Sequence, residues 1–176
     1  MKPLIEVVQF IPVLTLAAGF VLAGEIDLSV AAARFAIAAV LAVLIVGGLT
    51  WKKVRLNPFL VGADLWLLVG AVSFNLPIEP VKAAMVAAGG GGIFVGALLV
   101  GLAYTLTQPE GYLGVVSDKT RPLSVVLLVL TAAGAAWAVA HPDSIRLGAA
   151  LPFIAVNVLR RVMGRIVSRQ GAILPE

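Results

Sequence analysis

Two ionisable side chains stand inside apolar stretches of this chain, and a run of glycines interrupts a third stretch. Arg34 falls six residues into segment 28–51, and Asp64 five residues into segment 59–76. With a helical rise of about 1.5 Å per residue, they lie roughly 9 Å and 8 Å from the near ends of their segments. A charge at such depth in lipid must be paired, neutralised or put to use. Arg34 has candidate partners in Glu25, Asp27 and Glu79, which its long side chain reaches by snorkelling. Asp64 has Lys52, Lys53 and Arg55 in the adjoining basic loop, or carries a proton as a member of a proton path. The two charges belong near opposite faces of a core about 30 Å thick, so an ion pair between them is not expected.

The glycine run comprises Gly89, Gly90, Gly91 and Gly92, with Gly96 and Gly101 following. Gly92 and Gly96 form a GxxxG pair, a spacing that lets two helix backbones touch. Consecutive glycines also weaken a helix by about 1 kcal/mol each relative to alanine. The run is therefore either a packing face or a hinge that unwinds and exposes carbonyls to an ion or solute. Arg160, Arg161, Arg165 and Arg169 close the chain after an apolar segment and suit anionic headgroups. Ser73 and Asn157 are single polar residues of the kind that hydrogen-bond between helices.

Other chemistry is missing from the sequence. There is no cysteine, and His141 stands alone, so no metal site is expected. HExxH, P-loop and GxSxG motifs, paired catalytic carboxylates and a haem-type histidine pair are absent. The sequence proposes no reaction and no cofactor; the expectation is a protein that is not an enzyme.

The elements that carry these residues follow from composition. Of 176 residues, 61% are hydrophobic and 12% charged, and the mean hydropathy is +1.07. Soluble domains hold about 25% charged residues; this chain has too few to cover a water-facing surface. A crossing needs about 20 apolar residues, and six apolar segments are present, at 7–24, 28–51, 59–76, 81–106, 123–140 and 145–162. All are expected to be helical, because an open strand would leave backbone groups unpaired in lipid. The fold class is thus an all-α integral membrane protein with six transmembrane helices, forming one polytopic domain over residues 1–176. The first segment reads as a retained span, since Pro12 interrupts it and more spans follow. Pro12 and Pro152 predict kinks in the first and last helices.

Loop charge sets the orientation. If the N-terminus is inside, the inner loops and tail collect Lys2, Lys52, Lys53, Arg55, Lys119, Arg121 and the four C-terminal arginines, against Lys82 and Arg146 outside. Lys/Arg bias in short loops favours N-in and C-in. The net charge of +4 is then a matter of topology, and nucleic acid is not an expected partner. Membrane lipids and other membrane proteins are, including further copies of this chain.

In their order, these features resemble the inner-membrane septation protein A family, in layout and over nearly the whole chain. The opening Met1-Lys2-Pro3-Leu4-Ile5-Glu6 and Phe10-Ile11-Pro12 are similar to that family's Phe-x-Pro entry into its first span. Trp51-Lys52-Lys53-Val54-Arg55 falls where the family has an aromatic and basic loop. Pro77-Ile78-Glu79-Pro80-Val81-Lys82 falls at its Phe-Ile-Lys-x-Lys stretch, with Lys82 matching the last lysine. Ala83 and Ala84 stand where the family has threonine, and the Gly-Gly-Leu-Thr string of its third span occurs here at Gly47-Gly48-Leu49-Thr50, ending the second. The resemblance implies a bacterial cytoplasmic (inner) membrane protein acting in cell-envelope biogenesis and division through membrane partners, with no catalytic residues to carry over. Two other readings stay open. One is a small transporter or channel using the glycine-rich fourth span with Asp64 and Arg34; the other is an accessory subunit of a larger membrane complex.

Overall fold

The computed structural model describes residues 2–23, 28–141 and 145–171, and no strand occurs among them. Helix α1 spans Lys2–Ala23, α2 Leu28–Trp51 and α3 Pro58–Asn75. The fourth apolar segment is divided into α4 (Glu79–Ala88), a 3-10 turn (Gly89–Gly91) and α5 (Gly92–Thr107). Helix α6 runs Thr120–Ala140, and a π-helical stretch Ile145–Ala150 leads into α7, Leu151–Gly171.

Among the described residues, five helices are long and apolar enough to cross a membrane: Val30–Trp51, Pro58–Asn75, Glu79–Thr107, Thr120–Ala140 and Leu147–Ser168. Within α1, Val7–Ala18 is a shorter apolar stretch. The polarity of the bundle matches a lipid surround. Its exposed side chains include Ile37, Val40, Leu44, Leu99, Leu106, Val129 and Val139, while Gln9, Asn57, Asp64, Ser124, Thr131, Asn157 and Arg160 are buried. Water would reverse that distribution. The chain is an all-helical, multi-pass membrane protein.

Local chemistry explains the element boundaries. Helix α2 gives way to a turn in which Lys53 takes a positive φ of 51°. Helix α3 starts at an Asn-Pro pair: Asn57 caps it by accepting from the Phe59 N–H at 3.0 Å, and Pro58 occupies the first turn, where no N–H partner is needed. Pro12 lies within α1. Pro152 follows the π-helical stretch, whose wider turn gives room for the ring that would clash with the carbonyl four residues earlier.

Helix α3 is the centre of the bundle. It packs against α1, α2, α4 and α5, while α6 joins α5 to α7. Phe59, Leu60, Ala63 and Leu67 are fully buried on it. The α3–α5 crossing is a backbone contact. A Cβ on Gly62 would overlap the Gly96 carbonyl and the Ala97 backbone, and one on Gly96 would overlap the Gly62 carbonyl. Gly96 thus serves the packing inside the chain that small residues permit. Phe153 of α7 ties in the other helices, its ring 4.7 Å from Phe59, 6.1 Å from Phe10 and 6.2 Å from Phe94.

Candidate functional site: an apolar cavity beside a broken helix

The glycine run ends one helix and begins another. At Gly89 the backbone turns to φ 48°, ψ −134°, a conformation open to glycine and strained for other residues. The Gly89 N–H still bonds back to the Met85 and Val86 carbonyls, and the Gly92 N–H bonds to Gly89 through the 3-10 turn. The other glycines of the run pack closely. A Cβ on Gly92 would fall on the Trp66 indole, one on Gly90 would stand 2.7 Å from the Ala149 methyl, and one on Gly91 3.1 Å from Val139. Packing and interruption, alternatives in the sequence, occur here in adjacent residues.

Beside the break is a cavity of about 300 Å³ bounded by α1, α2, α3, α4, α5 and the start of α7. Val13, Phe35, Met85 and Phe153 line it as buried walls. Leu14, Val86 and Ile154 line it too and are exposed, so its mouth opens on the outer surface of the bundle, between α1, α4 and α7. Gly89 and Gly90 form part of the wall, where a helix carrying side chains would narrow the space. Among the described residues, no ionisable side chain lines the cavity. Its volume sits at the low end of small-ligand pockets, which run roughly 300–1,000 Å³.

The two intramembrane charges are elsewhere. Asp64 is 3% exposed, and neither carboxyl oxygen has a hydrogen-bond partner among the described residues. Lys52, Lys53 and Arg55, its expected partners, are exposed on the loop and do not reach it. Arg34 is half-buried on α2; Glu25 and Asp27, expected to pair with it, lie outside the described residues. Among the described residues Glu79 instead pairs with Lys82, at 3.8 Å. Asp64 and Arg34 are not brought together.

The C-terminal arginines divide into different roles. Arg160 does not face a headgroup layer: it is 7% exposed and donates from Nη1 to the Leu113 carbonyl at 3.2 Å. The Arg161 guanidinium lies 5.5 Å from the Phe10 ring centroid, a cation–π distance. Arg165 is exposed, and the Arg169 side chain lies outside the described ones. The loop that Arg160 holds is tucked into this end of the bundle. Tyr112 is fully buried there, its hydroxyl 3.3 Å from Thr131 Oγ1, and the Leu113 N–H donates to Ser124 Oγ at 3.1 Å. Burial pushes the Tyr112 phenol up, against smaller lowering contributions from its Thr131 hydrogen bond and the Arg160 charge. The phenol stays neutral and donates to Thr131, whose own hydroxyl donates to the Leu127 carbonyl at 2.7 Å.

Several structural positions were not singled out in the sequence. Gln9 is buried and accepts from the Asn57 N–H at 2.9 Å, joining α1 to the start of α3; a lone polar residue in an apolar stretch was its signal. The Asn-Pro pair was a readable helix start. Gly62, Tyr112 and the hub position of Phe153 carry no local pattern that marks them. Comparison with family models, curated proteins and solved structures gives no match for this chain.

Proposed function

We propose that this chain is a noncatalytic, multi-pass protein of the bacterial cytoplasmic membrane that binds an apolar chain, such as the acyl or polyprenyl tail of a lipid, in the cavity beside Gly89 and Gly90. The observation that carries the reading is the cavity's composition and position. Its walls are apolar, and its mouth is framed by Leu14, Val86 and Ile154 on the lipid-facing surface. A polar solute entering there would lose its hydration without gaining partners from side chains. A hydrocarbon tail enters from its own phase and fills space that the bundle leaves open.

The topology proposed with it is six crossings with both ends in the cytoplasm. Five full-length apolar helices and the apolar stretch of α1 support the count, and the loop basic residues support the orientation. The resemblance in layout to the septation protein A family puts the tail-binding role in envelope biogenesis or division, with other membrane proteins as partners. A transporter for polar solutes is less well supported, because neither Asp64 nor Arg34 lines the cavity.

The test uses a phospholipid with a photoreactive group in its tail, incorporated into vesicles with the protein. Cross-links mapped by peptide mass spectrometry are expected to concentrate on Leu14, Met85, Val86 and Ile154. Ala17→Phe, which places a ring in the cavity, should reduce them, while Val129→Phe on the distant surface of α6 should not. Even labelling over Val40, Leu99 and Val129, unchanged by Ala17→Phe, would show ordinary surrounding lipid and refute the reading.

A further inference from the structure

Asp64 plays no part in the cavity, yet its placement is unusual for a structural residue. Helix geometry shows which face it occupies. Asn75 lies about three turns further along the same stripe of α3, and its amide donates to the Ala32 carbonyl of α2 at 3.1 Å. Asp64 therefore faces α2. Counting back about 16 Å along the antiparallel helix brings it level with Ala42, which is fully buried. Methyl groups there offer a carboxylate no hydrogen bond.

The same stripe continues toward the basic end of the bundle. Asn57 stands about two turns, or roughly 10 Å, before Asp64. It is buried, its Nδ2 has no hydrogen-bond partner among the described residues, and its backbone N–H is held by Gln9 of α1. Two orphaned polar groups on one stripe, an amide donor and a carboxyl, are thus aligned inside the bundle. Buried polar groups are ordinarily satisfied, so a buried carboxyl with no donor beside it is one that a proton completes.

We propose that Asp64 is a proton-binding site, reached from the basic end past the Gln9–Asn57 amide pair. Hydronium from solvent at that end delivers the proton, the carboxylate becomes a carboxylic acid and water is returned; only an O–H bond forms at Asp64. The charged groups of the packed elements do not substitute for the proton. On α2 the charged residue is Arg34, about 12 Å along the helix from Ala42. Helix α5 carries none. Glu79 and Lys82 of α4 pair with each other at the opposite end. Lys2 and Glu6 of α1 sit in its first two turns. Arg160 of α7 is engaged by Leu113. A metal cation would need several oxygen ligands, whereas a proton needs one carboxyl.

The test is labelling with a hydrophobic carbodiimide, which adds its mass to a protonated carboxyl in an apolar place, followed site by site with mass spectrometry. In the full-length protein in vesicles, Asp64 should be labelled, with yield falling several-fold across an ascending pH series as the proton is lost. Sodium and potassium should give no protection. The Asp64→Asn protein should lack that adduct. If that variant fails to fold, the carboxylic C=O infrared band of the wild-type protein, titrated over the same range, supplies the second measurement. Gln9→Leu, which leaves the Asn57 cap intact, should slow the change in labelling after a pH jump. Protection by sodium or potassium would replace the proton with a metal cation and overturn the proposal. So would absence of both the adduct and the infrared band at every pH. An unchanged rate in Gln9→Leu would overturn the route.

Discussion

Replacing Gly62 by alanine should destabilise this protein, although the same change elsewhere in a helix stabilises. In a helix interior, Gly→Ala gains about 1 kcal/mol of propensity. At Gly62 the new methyl would stand 2.7 Å from the Ala97 nitrogen and closer still to the Gly96 carbonyl, whereas ordinary contact starts at 3.4 Å. The obstacle is backbone, which cannot rotate away, so α3 and α5 must move apart. Overpacking of this kind costs about 1–3 kcal/mol. The net expectation is a loss of about 1 kcal/mol for Gly62→Ala and a gain of up to about 1 kcal/mol for Gly47→Ala, where nothing lies within 4 Å. Gly96→Ala should behave like Gly62→Ala, and the double variant should fall short of the sum, because both methyls wedge one crossing. Unfolding by a denaturing detergent titrated into micelles, followed by tryptophan fluorescence, reads the difference. Trp66 is well placed to report it, one turn from Gly62 and against Gly92 and Gly96. If Gly62→Ala gains stability as Gly47→Ala does, the α3–α5 backbone contact is wrong.

Further expectations use the same unfolding assay or a simple companion. Gly89→Ala has open space around it but a glycine backbone, φ 48°, and should lose about 1–3 kcal/mol; a neutral result would show a continuous fourth helix. Arg160→Met removes the donor to the Leu113 carbonyl, and protease should then cut the 108–119 loop several-fold faster, with unchanged cleavage arguing against the tie. Tyr112 gives a pH dependence. Its phenol is raised above the ordinary 10.0 in the folded chain by burial, so the unfolded chain loses that proton first and stability should fall as pH rises above 10.0. Tyr112→Phe should cost about 1 kcal/mol at neutral pH for the lost hydrogen bond and flatten that alkaline decline; an unaltered decline would mean Tyr112 is open to water.

The membrane class was legible in the sequence because it depends on quantities that add along the chain. A chain with 12% charged residues cannot cover a water-facing surface whatever the packing, and the apolar segments coincide with the described helices to within a few residues, apart from the break of the fourth at Gly89–Gly91, the N-terminal extension of α1 and the C-terminal extension of α7. Helix starts at Asn57-Pro58 and the weakness of the glycine run were local signals of the same kind. What the sequence left open depended on which faces meet. The glycine run admitted packing or interruption. Only the positive φ at Gly89 and the Trp66 ring over Gly92 assign those properties to adjacent residues. Lys52, Lys53 and Arg55 were plausible partners for Asp64 by distance along the chain, yet α3 turns that carboxyl toward the alanines of α2. Arg160 was a headgroup candidate by charge, and the loop it folds beneath made it an internal donor. The cavity had no signature at all, since its lining comes from six helices and none of its residues is unusual alone. Composition and period act within a segment and could be read directly; the direction of a side chain is settled by its neighbours from other segments, which only the assembled bundle supplies.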